Sequence, residues 1–323
     1  MVVVVIDSDD DESHETEQAK KKKQLCLRRG GGGGEGEGRW EGVSAEILSL
    51  VFVLVPADEL LRTVPFVCRA WREAVAGPEC WADIDIEKWC RRCNCPYRID
   101  SAVRKLVRRS CGTCTRLSVY NLSDYAFAFV ADWWVILRMA EGILGILGKW
   151  ACDVRFIKVL QIPMSAVTDK MVEKHAQSFS TLTYLDISYC LNITAKGIDI
   201  FGRCCKSLTH LRRNMPPPQW DENLRALSTK IDDAEAMTIA DSMPGLCHLE
   251  LCHGKFSDIG LTAILTKCKK LTNLNILGCW NVELNGTLED MCAQLESFKS
   301  PWFDEFEETD SSDAGEGAYS DSD

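Results

Sequence analysis

A strand-like pattern, leucine followed two residues later by a second apolar residue, returns along the chain. It stands at Leu117-Ser118-Val119, Leu160-Gln161-Ile162, Leu185-Asp186-Ile187, Leu249-Glu250-Leu251 and Leu274-Asn275-Ile276, with a damaged copy at Leu211-Arg212-Arg213. The first leucines are 43, 25, 26, 38 and 25 residues apart. Three of these spacings define a period of 25 or 26, and the other two equal one period with 18 or 12 residues inserted. A unit this short cannot cover its own apolar face, so each copy must stack on its neighbours and the array must grow as a solenoid. The predicted class is therefore α+β, with short parallel strands alternating with returning helices over five or six units.

The clearest copies are Leu182-x-x-Leu185-x-Ile187-x-x-Cys190-x-x-Ile193 and Leu271-x-x-Leu274-x-Ile276-x-x-Cys279-x-x-Val282. Their leucines and isoleucines are expected to point into a shared core, and the cysteine to turn the chain towards the convex side. Gly197-Ile198 and Gly260-Leu261 then open the returning helices. These copies resemble the cysteine-containing type of leucine-rich repeat. Residues between the inward positions would face the concave surface: Tyr184, Asp186, Ser188, His248, Glu250, Asn273 and Asn275. They are the expected substrate contacts, the alternative being an ordinary solvated strand face.

Ahead of the repeats, residues 39–93 form an apolar-rich segment bounded by glycines and cysteines. Three helical runs are expected: Val43 to Val55, Asp58 to Val64, and one opened by Pro65 in which Val67, Cys68, Trp71 and Val75 recur at helical spacing. Gly77-Pro78 ends the third, and Trp81 is expected to begin a linker helix. The first run is apolar nearly all round, which demands partners on more than one side. Glu46-Ile47-Leu48, Val51-Phe52, Leu54-x-Pro56, Leu60-Leu61, Val67-Cys68-Arg69-x-Trp71-Arg72 and Pro78-x-x-Trp81 stand where an F-box carries its landmarks. The segment resembles that family, departing from it at Val43-Ser44, where Leu-Pro is usual, and at Pro65. The run from Trp81-x-x-Ile84-Asp85-Ile86-Glu87 into a helix over Tyr97 to Arg109 resembles the plant type. Behind an F-box, leucine-rich repeats imply a substrate receptor of an SCF-type cullin–RING ubiquitin ligase. On that resemblance a Skp-type adaptor is met by Val43, Ile47, Leu48, Phe52, Pro56, Leu61, Val67, Cys68 and Trp71, and the solenoid holds a protein substrate for ubiquitination. The residues alone leave open which of these touch a partner and which form the module's own core. The resemblance implies no catalytic residue and no cofactor.

Residues 94–302 are expected to be the solenoid, interrupted near 132–150 and 214–231. In the first interruption, DWWVILRMAEGILGILGKW is too short and too charged for a membrane span and reads as a helix packed on the repeats. Removing about 18 residues there restores the period, so a genuine insertion and a gene-model artefact both stay open. Gly142 to Lys149 nearly matches a phosphate loop, but its spacing is wrong and Trp150 stands where Ser or Thr would hold magnesium. The second interruption holds Pro216-Pro217-Pro218 and Trp220, a surface loop.

The chain has 323 residues, and its net charge is −11. Much of the acid lies in residues 1–38 and 303–323, both expected to be disordered because nothing in them can form a core. Lys20 to Lys23 with Arg28-Arg29 forms a basic run open to two readings, nuclear import or simple solvation. The glycine tract Gly30 to Gly34 is a flexible linker, and Ser311, Ser312, Ser320 and Ser322 are candidate phosphorylation sites among acids. No secretory signal opens the chain, so a nuclear or cytoplasmic location is expected. The 17 cysteines then count as small reduced core residues. A near-neutral middle argues against a nucleic-acid partner. One rival remains: Cys90-x-x-Cys93 and Cys111-x-x-Cys114, separated by 17 residues, suit a zinc ribbon and would point to a zinc-dependent nucleic-acid binder. Another is a repeat scaffold without a ligase role. The helix over Tyr97 to Ser110 carries an apolar stripe of Ile99, Val103, Leu106 and Val107 opposite a basic face, open either to phosphate or to solvent. The five histidines, at 14, 175, 210, 248 and 253, join no local Cys–His signature. His248 and Cys252 are placed on a strand of the binding face.

Overall fold

Each three-residue strand sets one apolar residue between two polar or partly exposed ones, so one side chain in the middle can enter a core while its neighbours stay on the open face. The computed structural model describes residues 43–144, 156–217 and 230–302. Eight such strands pair in sequence order into one parallel sheet: β1 (Asp83–Asp85), β2 (Arg116–Ser118), β3 (Val159–Gln161), β4 (Tyr184–Asp186), β5 (His210–Arg212), β6 (His248–Glu250), β7 (Asn273–Asn275) and β8 (Ser297–Lys299). The register aligns Ile84, Leu117, Leu160, Leu185, Leu211, Leu249, Leu274 and Phe298 in one row. All but Phe298 are buried. A second buried row lies three residues earlier: Trp81, Cys114, Ile157, Leu182, Leu208, Leu246 and Leu271.

Among the described residues, three α-helices precede the sheet and the later ones return on its other side. They are α1 (Ala45–Phe52), α2 (Ala57–Arg62), α3 (Arg69–Ala76), α4 (Glu87–Cys93), α5 (Pro96–Arg109), α6 (Asp124–Leu144), α7 (Asp169–His175), α8 (Ala195–Cys204), α9 (Ala234–Ser242), α10 (Asp258–Lys267) and α11 (Thr287–Ala293). The mixed helix and parallel-sheet class, built of leucine-rich-repeat-like units, is as expected, but the solenoid is longer than five or six units. The units missed are those of β1 and β8, where Ile84 and Phe298 replace leucine. Trp81 does not begin a linker helix: it closes a 3-10 turn (Pro78–Trp81) and β1 follows at once. The reason is local. Trp81 fills the same core position as Leu182 and Leu208 in later repeats, fully buried, while its indole N–H donates to Val75 O in α3 at 2.9 Å. This ring thus ties the helical segment to the sheet, and the Arg92–Asp58 ion pair adds a second link. Pro65, likewise, lies in a 3-10 turn (Val64–Phe66), and α3 starts only at Arg69.

The first interruption is not a separate inserted helix. It continues the repeat's own returning helix: Ala126, Phe127, Val130 and Ala131 bury the first turns of α6, which runs on to 21 residues. His175 anchors the crossing point, with its Nδ1 3.1 Å from Asp132 Oδ1. Among the described residues no helix is long and apolar enough to cross a membrane. The expectations for 1–38, for the end of the first interruption including Gly145 to Trp150, for Pro218 and Trp220, and for 303–323 lie outside the described residues.

Two ladders stitch the units together. On one flank, thiols of Cys190 and Cys279 reach the apolar residue's carbonyl in the preceding repeat, Ile162 O at 3.1 Å and Leu251 O at 3.0 Å. At β5 the apolar position is Arg213, whose side chain is 1% exposed. Its guanidinium takes over this bond: Nη1 donates to Ile187 O at 3.4 Å and Cys190 O at 3.0 Å, and Nη2 to Ile193 O at 2.7 Å. Glu235 balances the charge, accepting from Nε at 3.2 Å and from Nη2 at 2.9 Å. All five donors of a buried arginine are thereby used, and the damaged copy is a full repeat.

The second ladder was not legible as a motif. Asp124 accepts from the N–H and hydroxyl of Thr168 at 2.8 and 2.9 Å, Asp169 does the same for Thr194 at 2.9 and 2.6 Å, and Asp233 accepts from Ser257 N–H at 2.7 Å. The carboxylates therefore lie close against the next helix. A Cβ on Gly197 would collide with Asp169, and one on Gly260 with Asp233, which is why glycine opens those helices.

Candidate partner-binding surfaces

Helix α1 begins at Ser44, whose hydroxyl accepts from Ile47 N–H. Its apolar residues then divide. Leu48 and Phe52 point inward and are 0% and 2% exposed. Ile47, Leu50, Val51 and Leu54 follow the i, i+3, i+4, i+7 spacing of one helical stripe and stay open, Leu54 at 84% and Leu50 at 73%. Leu61, Phe66 and Val67 are also exposed, Phe66 at 76%. A row of open leucine, isoleucine, valine and phenylalanine this dense is a candidate interaction surface. The adaptor contacts expected from sequence include Ile47, Leu61 and Val67 but not Leu50, Val51, Leu54 or Phe66; the spacing of Leu50, Val51 and Leu54 from Ile47 was the signal for the first three.

The other named residues sit differently. Trp71 is half-buried and meets Phe52 edge to face, with ring centroids 5.1 Å apart. Val43 packs partly buried on the same core, Pro56 is exposed at the start of α2, and Cys68 is half-buried ahead of α3.

The second surface is the concave sheet face. Register places Tyr184, His210, His248 and Asn273 in one row, and Asp186, Arg212, Glu250 and Asn275 in the next. The rings of Tyr184 and His210 stack at 5.7 Å, and those of His210 and His248 at 5.6 Å. Arg212 donates from Nε to Glu250 Oε2 at 2.8 Å and lies 3.6 Å from Asp186 Oδ2. Glu250 also meets His248 Nε2 at 3.2 Å and Asn214 Nδ2 at 3.2 Å. Burial presses the Glu250 carboxyl upward, but the bond to His248 and the Arg212 charge bring it below its usual value. Burial raises Asp186. Burial also works against the Arg212 charge, yet Asp186 and Glu250 hold it above the ordinary arginine range.

Of the concave residues expected from sequence, Tyr184, His248, Glu250, Asn273 and Asn275 are partly open. Asp186 and Ser188 are buried: Asp186 accepts from Ser188 N–H at 2.9 Å, a turn that carries the chain off β4 into the core. Cys252 is two residues beyond β6 rather than on it. His210 and Arg212, missed because their repeat read as damaged, complete both rows.

The cysteine set does not gather. Cys90 and Cys114 are core residues of α4 and of the row before β2; burial pushes the Cys90 thiol up to about 12 and the Cys114 thiol up as well. The Cys114 thiol faces Arg116 O at 3.1 Å. Among the described residues no three His, Cys, Asp or Glu side chains converge as a metal site. The basic face of α5 has partners too: Arg104, Arg108 and Arg109 stack on Tyr125, Phe129 and Trp81.

No family model matches the chain. It is 36% identical over 247 residues to F-box protein FBW2 of Arabidopsis thaliana, spanning 76% of this chain and 70% of that protein. Over 253 residues it is 26% identical to F-box protein SKIP19 of the same plant, covering 78% and 74%. A third relative, F-box protein SKIP1, is 29% identical over 258 residues, covering 74% and 79%.

Proposed function

Because the chain belongs to the plant F-box family of leucine-rich-repeat type, we propose that it is the substrate-receptor subunit of an SCF-type ubiquitin ligase. Helices α1 to α3 are the three-helix F-box, and a Skp-type adaptor covers the strip of Ile47, Leu50, Val51, Leu54, Leu61, Phe66 and Val67. The observation that carries this reading is the division within the first helical run: Leu48 and Phe52 form the module's core, and the opposite stripe is covered by none of the described residues. Burying one such side chain fully is worth about 1.5–3 kcal/mol, and several together suffice for a stable helix-in-groove complex. Leu48, Phe52 and Trp71 support adaptor binding from below by fixing α1 against α3.

In this role the chain makes and breaks no bond. The concave face holds a protein substrate, and the adaptor ties the assembly to a cullin–RING ligase, so that a substrate lysine meets the ubiquitin thioester at raised effective concentration. Nucleus or cytoplasm is the setting such a ligase requires. Co-purification of the full chain with a Skp-type adaptor, cullin and RING subunit tests the reading. A stoichiometric complex is expected, and its loss in an Ile47→Asp/Leu50→Asp variant that keeps the wild-type circular dichroism. A folded wild type that never joins the complex would leave a repeat scaffold without a ligase role.

A further inference from the structure

Thr209 Oγ1 donates its one proton to Thr183 O at 3.1 Å, as Thr183 does to Lys158 O and Thr115 to Ala82 O in their own repeats. With that proton on Thr183 O, His210 Nδ1, 2.9 Å from Thr209 Oγ1, is the donor of the pair. A neutral His210 therefore keeps its lone pair on Nε2. A neutral His248 donates from Nε2 to the Glu250 carboxylate and keeps its lone pair on Nδ1. Neither of these two nitrogens is among the buried unpartnered atoms, so both reach the concave cleft.

Beside them, Arg212 has donors to spare. Its Nε serves Glu250, and Asp186 stands 3.6 Å from Nη1. Five N–H groups less these leave at least two for an incoming acceptor. The acids are the deeper groups, with Asp186 and Glu250 side chains 7% and 18% exposed against 37% for Arg212. Their oxygens are also engaged: Asp186 by Ser188 and Arg212, Glu250 by Arg212, Asn214 and His248. A partner cation would have to break these bonds to reach a carboxylate. A partner anion would meet two lone pairs and two acids around one arginine. What fits is a group with an acceptor and a donor side by side.

We propose that the concave centre recognises a carboxamide, the side chain of Asn or Gln in a substrate peptide, with its carbonyl oxygen on Arg212 and its NH₂ on His210 Nε2 or His248 Nδ1. The proposal rests on the reading of the concave face as the substrate surface. Burial and the neighbouring His248 both lower His210, which keeps that acceptor unprotonated at neutral pH. A site built to bond such a group discriminates strongly against analogues that leave its polar atoms unpaired.

The test is a selection of random heptapeptides on the full chain at neutral pH, followed by affinity measurement on the synthetic winners. Peptides with Asn or Gln at one fixed position are expected. Replacing that residue by Glu or Lys should cost tenfold or more, and Arg212→Gln or His210→Phe should weaken the parent peptide likewise, with circular dichroism unchanged. Winners that demand Asp, Glu, Lys or Arg, winners indifferent to Arg212→Gln, or no winners at all would overturn the assignment. Adaptor binding measured on the same protein separates the failures: loss of peptide binding with adaptor bound refutes the carboxamide site, whereas peptide binding without adaptor refutes the ligase reading alone.

Discussion

The F-box segment and the solenoid are both rich in leucine, isoleucine and valine, yet they use these residues in opposite ways. In the solenoid the middle residues of β1 to β7 are all buried, because the next repeat always supplies a cover. In the F-box, the described residues cover α1 on one side only, and Ile47, Leu50, Val51 and Leu54 remain open. A repeat is completed by its own chain; the open face of the F-box segment is the one we propose another chain completes. Composition alone does not separate the two cases, but periodicity does: a single inward residue per strand against an α1 with apolar residues on opposite faces.

The sharpest way to break this contrast is one charge placed in each region. Leu185→Asp should abolish the cooperative unfolding transition, since a carboxylate would enter a dry core. Leu50→Asp on the open stripe should shift the urea midpoint hardly at all. Next in size is Arg213→Ala, which strands three backbone carbonyls in the interior and leaves the partly exposed Glu235 unpaired. A loss of about 3–5 kcal/mol is expected in urea unfolding, while Arg213→Met, which keeps volume but not donors, should recover only part of it. Asp169→Ala removes two bonds to Thr194 and should cost about 1–3 kcal/mol; the same change paired with Gly197→Ala, now free of the carboxylate clash, should cost less than the sum.

The smallest effect is on pH. His210 and His253 both have lowered affinity for a proton in the folded state, chiefly through burial. The unfolded chain therefore binds more protons below the ordinary histidine value of about 6.5. Their contribution is intact above that pH, falls as pH drops from there to the lowered folded values, and levels off below them. A His210→Gln/His253→Gln variant should show a flatter urea midpoint across that window than the wild type.

Much of this was legible in the sequence, for reasons that can be stated. Leu185 and Leu274 announce their strands because a central strand residue must be large and apolar, and their 25-residue period recurs without interruption nearby. Ile84 and Phe298 meet the same demand but fall outside a pattern that insisted on leucine. Arg213 read as damage because its burial depends on Glu235 and on carbonyls of the preceding repeat, none of which a local window contains. The aspartate ladder was hidden for the same reason: Asp169 and Thr194 are 25 residues apart, and only stacking brings them together. His210 and Arg212 were lost with the misread repeat, and recovering the register recovers both.

Hydrogen exchange on the full chain, with and without a Skp-type adaptor, is the most direct measurement of the central claim. New protection is expected across Ser44 to Val67, with the strands from Val159 to Asn275 exchanging as before. Protection appearing in those strands, or an F-box segment unchanged by saturating adaptor, would contradict the account.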